Sequence, residues 1–149
     1  MHVVLIEPEI PMNTGNIGRL CLAAGAKLHL VEPLGFSLED SKLKRAGLDY
    51  WKHVQLEIHP SVEAFFVKYG DQPLAFFSSR AGRSYVELKY TADQFLIFGK
   101  ESKGLPEVLT MAERDRCYKI PILNEHVRSL NLANAASVVL YEGVRQLGF

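Results

Sequence analysis

The chain reads as an α/β fold, a mostly parallel sheet flanked by helices. Short apolar runs of strand length alternate with longer stretches of helical periodicity. Most runs are continuous rather than alternating, as in strands covered on both faces. The totals suit one soluble globular domain over residues 1–149, with 48% apolar and 23% charged side chains.

The elements follow in order. Residues 2–6 (HVVLI) predict the first strand. Ile17, Leu20, Cys21 and Ala24 then recur at i, i+3, i+4 and i+7, a helical apolar stripe, with Gly25 as its stop. Residues 28–31 (LHLV) predict the second strand. Helical segments are expected at 38–47 (LEDSKLKRAG) and 61–69 (SVEAFFVKY). Residues 74–78 (LAFFS) and 95–98 (FLIF) predict two more strands, and 105–112 (LPEVLTMA) a helix. A strand is expected at 118–122 (YKIPI), and the longest helix at 131–146 (NLANAASVVLYEGVRQ).

Composition narrows the function classes. With 17 basic and 17 acidic side chains the net charge is zero, so nucleic-acid contact would need local patches. Two distant cysteines, Cys21 and Cys117, make no disulfide framework and suit a reducing cytoplasm. The start MHVVLIEPEIP lacks a basic leader, and no run approaches the ~20 apolar residues of a membrane span. Neither a signal peptide nor a membrane partner is expected.

In such folds ligands sit beyond the carboxyl ends of the strands, which directs attention to three loops. The loop FGKESKGLP has glycines at Gly99 and Gly104 with the G-x-x-x-x-G spacing of a phosphate cradle. That reading fails: Leu105 and Pro106 replace the required Lys and Ser/Thr, and Glu101 would repel a triphosphate. The loop suits a ligand that wants close backbone approach and carries no phosphate. The loop EPEIPMNTGNIGR offers Asn13 and Thr14 as helix-capping types, and Gly15 and Gly18 for backbone approach to a ligand. Arg19 follows one turn later among apolar residues and glycine, where a cation can meet a phosphate or an ionising hydroxyl. The loop PILNEHVRSLNLANAA gathers Arg128, Ser129, Asn131 and Asn134 at the start of the long helix. Ser129 or Asn131 can serve as a plain cap. Asn131 and Asn134 also share one edge of an apolar surface, where amides need partners.

These loops carry a resemblance. NTGNIGR, FGKESKGLP and IPILNEHVRSLNLANAASVVLYE resemble, in order, the three motifs of the SpoU-type branch of the SPOUT methyltransferases. EPLGF, RAGLDYW and YEGVRQLGF resemble more narrowly the tRNA wobble-nucleotide 2′-O-methyltransferases. The resemblance spans nearly the whole chain. It implies methyl transfer from S-adenosylmethionine to the ribose 2′-hydroxyl of cytidine or uridine 34 in a tRNA anticodon loop. It also implies a C-terminal trefoil knot and a homodimer with sites at the interface. Matched position by position, it implies cofactor contacts at Phe77, Gly99, Glu101, Gly104, Ile120, Ile122, Ser129, Leu130 and Asn134. Phe77 reads equally as core. Arg19 is implied as the catalytic residue, facing the partner's cofactor. A guanidinium stays charged, so stabilisation of the forming alkoxide is the favoured role, with base action the alternative. A ribosomal RNA 2′-O-methyltransferase and a non-catalytic RNA-binding module are the competing functions.

RNA contact is expected from Asn13, Asn16 and Arg128, from Lys44 and Arg45 beside Tyr50 and Trp51, and from Arg80 and Arg83 in SSRAGRSY. The bland alternative for Lys44 and Arg45 is a solvated helix face followed by a buried Trp51. Of the histidines, none pairs at i, i+4 or lies near a cysteine, so no metal site is expected.

Overall fold

The computed structural model describes residues 1–39 and 41–149, with the side chains of Lys44, Ala46, Gly47 and Leu48 outside the description. Its strands are β1 (His2–Ile6), β2 (Lys27–Val31), β3 (Leu56–His59), β4 (Leu74–Phe77), β5 (Arg83–Ser84), β6 (Phe95–Phe98) and β7 (Cys117–Lys119). They form one sheet in the order β3-β2-β1-β6-β4-β7-β5, and every strand pairing is parallel. The helices are α1 (Pro11–Ala23), α2 (Ser41–Gly47), α3 (Val62–Tyr69), α4 (Glu107–Ala112) and α5 (Leu132–Gln146).

The continuous apolar runs are explained by the layers. On one face Val3, Leu5, Leu28, Leu30, Leu96 and Phe98 meet Ile17 and Cys21 of α1 and Ala136, Val139 and Leu140 of α5. On the other, Val4, Ile6, Phe76, Phe95 and Ile97 pack against Phe65 of α3. Both faces are therefore covered, and successive side chains of the central strands β1, β4 and β6 are buried on either side. No helix among the described residues is long and apolar enough to cross a membrane.

Several expected boundaries move for physical reasons. The last strand stops at Lys119 rather than 122, because Pro121 has no N–H to offer a ladder. The strand expected at 74–78 ends at Phe77, although Ser78 N still donates to Tyr118 O at 3.0 Å. The helix expected at 38–47 is observed from Ser41, and Asp40 lies outside the described residues. The long helix starts at Leu132, capped by Asn131, whose Oδ1 accepts from Ala133 N and Asn134 N. Ser129 is therefore not its cap.

The capping expectation for Asn13 and Thr14 is corrected. Pro11 opens α1, so both residues lie within its first turns, and Ile10 is the N-cap with no side-chain cap of its own. Gly18 is corrected too. A Cβ there would meet Trp51 ring atoms at 2.5 and 2.9 Å, so the glycine makes room for Trp51 and not for a ligand.

Candidate functional site

Residues 99–104 close on themselves between β6 and α4. Gly104 N donates to Lys100 O at 2.8 Å, and Gly104 takes φ +71, a left-handed conformation that favours glycine. A Cβ on Gly99 would lie 2.0 Å from Gly104 C and 2.1 Å from Leu105 N, so nothing larger than glycine fits without moving the backbone.

This loop is clasped to the loop after β1. Glu101 Oε2 accepts from Glu9 N at 2.8 Å, while Oε1 accepts from Ile10 N at 3.2 Å and Asn13 Nδ2 at 3.1 Å. The cap that α1 lacks locally thus comes from a distant carboxylate, placed where the positive end of the helix dipole favours it. Glu9 returns the contact, accepting from Ser102 N and Ser102 Oγ, both at 2.9 Å. Those two bonds hold the Glu9 carboxyl below its ordinary pKa. Lys100 adds an ion pair to Glu7 at 2.7 Å. Asn13 Oδ1 accepts from Asn131 Nδ2 at 3.0 Å, which ties in the segment leading to α5.

The clasped loops border a cavity of about 1710 Å³. Phe77, Gly99, Glu101, Gly104 and Ile120 line it, as do Ile122, Ser129 and Leu130. Arg80, Arg83, Arg128 and Asn13 line it as well, and so does Arg114, which the sequence reading did not single out. Phe77 stacks on Phe98 at 5.0 Å within the core and is also among the residues that line the cavity. Arg83 lies over the Tyr118 ring at 4.7 Å and donates from Nη1 to Asp115 O at 2.9 Å.

The remaining expected residues lie elsewhere. Asn134 is exposed on α5 and Asn16 on α1, both outside the cavity lining. Arg45 is exposed on α2, and the Lys44 side chain lies outside the described residues. Arg19 is exposed on α1, away from this cavity, with its guanidinium 5.0 Å from the centre of the Tyr50 ring.

The segment between β7 and α5 is irregular. Val127 N donates to Asn124 O at 3.2 Å and His126 N to Asn124 Oδ1 at 2.9 Å. Among the described residues, the other main-chain groups of 121–130 have no protein hydrogen bond. They remain available to a ligand.

A second polar cluster lies beneath α3. His2 Nδ1 is 2.9 Å from His29 Nε2, and His29 Nδ1 is 3.0 Å from His59 Nε2. Sheet register brings His29, His59 and Glu57 together, with ligand-type atoms within 4.8 Å of one another. Sequence spacing had given no sign of such a cluster, because its members come from different strands. Glu57 is already engaged by Lys27 at 2.5 Å, Lys68 at 2.6 Å and Tyr69 Oη at 2.9 Å. Two ammonium groups at that carboxylate oppose a metal cation, so the cluster carries no metal assignment.

Comparison with known proteins gives consistent findings. The SpoU rRNA methylase family model matches residues 1–141. A Saccharophagus degradans protein named tRNA (cytidine(34)-2′-O)-methyltransferase is 45% identical, covering 99% of this chain and 96% of its own. A solved structure described as giving structural insights into the 2-OH methylation of C/U34 on tRNA is 48% identical with TM-score 0.93, over 98% of this chain and 95% of that one. AviRb from Streptomyces viridochromogenes, a SpoU methyltransferase solved with AdoMet, superposes with TM-score 0.88 at 25% identity, over 99% of this chain and 57% of its own.

Proposed function

The chain belongs to the SpoU rRNA methylase family, and on that premise we propose that it 2′-O-methylates the ribose of nucleotide 34, cytidine or uridine, in tRNA anticodon loops. The observation that carries this reading is the cavity itself. The three motif segments converge on it, and Arg80, Arg83 and Arg128 share its lining. At about 1710 Å³ it exceeds the roughly 300–1,000 Å³ of an ordinary small-molecule pocket, leaving room for a nucleotide beside a cofactor.

S-adenosylmethionine supplies a methyl group carried on a sulfonium, open to attack by an oxygen nucleophile. The residues present fit it. Ile120, Ile122 and Leu130 offer apolar walls, and the main chain of 121–130 offers donors and acceptors. Gly99 and Gly104 keep the facing loop tight, and Glu101 secures that loop to α1. No Lys-Ser/Thr pair is required, because the group has no phosphate.

A ribose hydroxyl is a weak nucleophile until it loses its proton. Arg19 stabilises the developing alkoxide by its fixed charge and holds the adjacent phosphate. Its position away from the cavity of its own chain fits a dimer in which it serves the partner's site. Ile10 at the N-cap of α1, Met12 on α1, and Val138 and Tyr141 on the neighbouring α5 are exposed apolar residues, and a second copy of this chain would cover them. The cytoplasm is the matching compartment. The C-terminal trefoil knot belongs to the same family-based reading.

Ribosomal RNA is the alternative substrate, favoured by the description of the matching family model. Mass spectrometry of tRNA and ribosomal RNA from a deletion strain separates the two. Loss of 2′-O-methyl at nucleotide 34 supports this proposal, and loss from ribosomal RNA alone replaces it. A non-catalytic RNA-binding module would give no heat in calorimetry with S-adenosylmethionine.

A further inference from the structure

We propose that Asn13 and Glu101 form a relay that couples cofactor binding to RNA binding; the inference rests on the methyltransferase reading above. The Asn13 side chain touches both of the cavity's motif loops at once. It is 6% exposed, it donates to Glu101 in the glycine loop, and it accepts from Asn131 at the cap of α5. Asn131 in turn uses its Oδ1 on Ala133 N and Asn134 N, so its amide is fixed on both sides. The glycine loop and the loop after β1 grip each other reciprocally, Glu101 on Glu9 N and Glu9 on Ser102 N.

These bonds converge on the first turns of α1. Helix rigidity carries their geometry onward: Arg19 lies six residues beyond Asn13, about 9 Å along the axis at 1.5 Å per residue. A ligand that shifts residues 99–104 or 121–130 therefore shifts the start of α1, and with it the guanidinium proposed to meet RNA. The same linkage runs in reverse, because coupling between two binding events is reciprocal.

The chemistry requires an amide at position 13. Asn donates to the Glu101 carboxylate and accepts from Asn131 at the same time. Asp would set two carboxylates against each other. The Asn13→Asp/Glu101→Gln pair would restore the bond with donor and acceptor exchanged, while Ile10 N–H loses its acceptor. Asn13 is thus a positioning residue.

The test measures the affinity of the full-length chain for S-adenosylhomocysteine by calorimetry, with and without an anticodon stem-loop. With the stem-loop at saturating concentration for each variant, the ratio of the two dissociation constants cancels any loss common to both states, so weakened cofactor or RNA affinity alone does not move it. For the wild type, RNA is expected to tighten the cofactor product by about tenfold, within the usual span of coupling energies. Asn13→Asp brings the ratio toward one, and the double variant recovers part of it. Should Asn13→Asp not fold, Glu9→Gln, which weakens the reciprocal grip from a half-buried carboxylate, is expected to lower the ratio instead. A wild-type ratio of one with both ligands bound overturns the relay and leaves the methyltransferase reading standing. So does an unchanged ratio in a folded Asn13→Asp, or in Glu9→Gln where that variant is used. A wild type that binds no S-adenosylhomocysteine overturns that reading and the relay together.

Discussion

Two polar chains cross this molecule, and they are built from different chemistry. One joins loops at the cavity: Glu101, Asn13 and Asn131, a carboxylate and two amides. The other joins strands beneath α3: His2, His29 and His59. Amides do not titrate, so the Asn13–Asn131 link keeps its donor and acceptor as pH changes. The imidazoles do, and burial holds all of them below their ordinary pKa, His29 down to about 3. Changes at the cavity side should move activity, and changes at the histidine side should move stability.

The largest effect is expected at Arg19. Arg19→Ala should lower methyl transfer by about 10²–10³-fold, the usual consequence of losing one charge-stabilising donor. Its cofactor affinity should hold, and its Tm should stay within about 2 °C, as for most exposed positions. Full activity in this variant would contradict the proposed role.

Gly99→Ala comes next, and it tests whether the glycine loop is as closed as its contacts indicate. The added methyl meets backbone at 2.0 Å, so residues 99–104 must open. A loss of about 1–3 kcal/mol is expected, read as a roughly 5- to 150-fold weaker binding of S-adenosylmethionine in calorimetry.

On the histidine side, His29→Leu leaves His2 and His59 each short of a partner. Denaturant unfolding should show a loss of about 1–3 kcal/mol, with activity per folded molecule unchanged. The pH dependence follows from the same burial. Below pH 6.5 the unfolded chain takes up a proton on His29 that the folded chain excludes down to about pH 3. Stability is therefore complete above pH 6.5 and declines as pH falls, by about 1.4 kcal/mol per unit for this residue. His29→Leu should flatten that slope, and an unaltered slope would place the titration elsewhere.

The smallest effect is expected at the basic edge of the cavity. Arg80→Ala should weaken stem-loop binding by about 1 kcal/mol and reduce the salt dependence by roughly one counterion, leaving cofactor affinity intact.

The same contrast explains what was legible in the sequence. Strands β1 and β6 were read to the residue because both of their faces are buried and their apolar runs are unbroken. Strand β3 was missed. It lies at the sheet edge, and its Glu57 and His59 point polar groups toward α3, which breaks the apolar pattern. Strand β5 has only 2 residues, too few to leave a pattern. The sequence did contain the signal that places the start of α1: Pro11 is a typical first helical residue, and it outweighs Asn13 and Thr14 as caps. The glycine loop's departure from a triphosphate cradle was legible, since Leu105 and Pro106 stand where Lys and Ser/Thr are required. Its connection to Asn13 was not, because Glu101 lies 88 residues away and only the fold brings them together. The histidine chain was invisible for the same reason: its bonded pairs are separated by 27 and 30 residues.

The target atom offers the sharpest decision. Methyl transfer from labelled S-adenosylmethionine can be compared on an isolated anticodon stem-loop and on the same RNA carrying a 2′-deoxy nucleotide at position 34. Transfer is expected to the first and to be lost on the second. Equal methylation of both would contradict the assignment of the 2′-hydroxyl, and with it the proposed reaction.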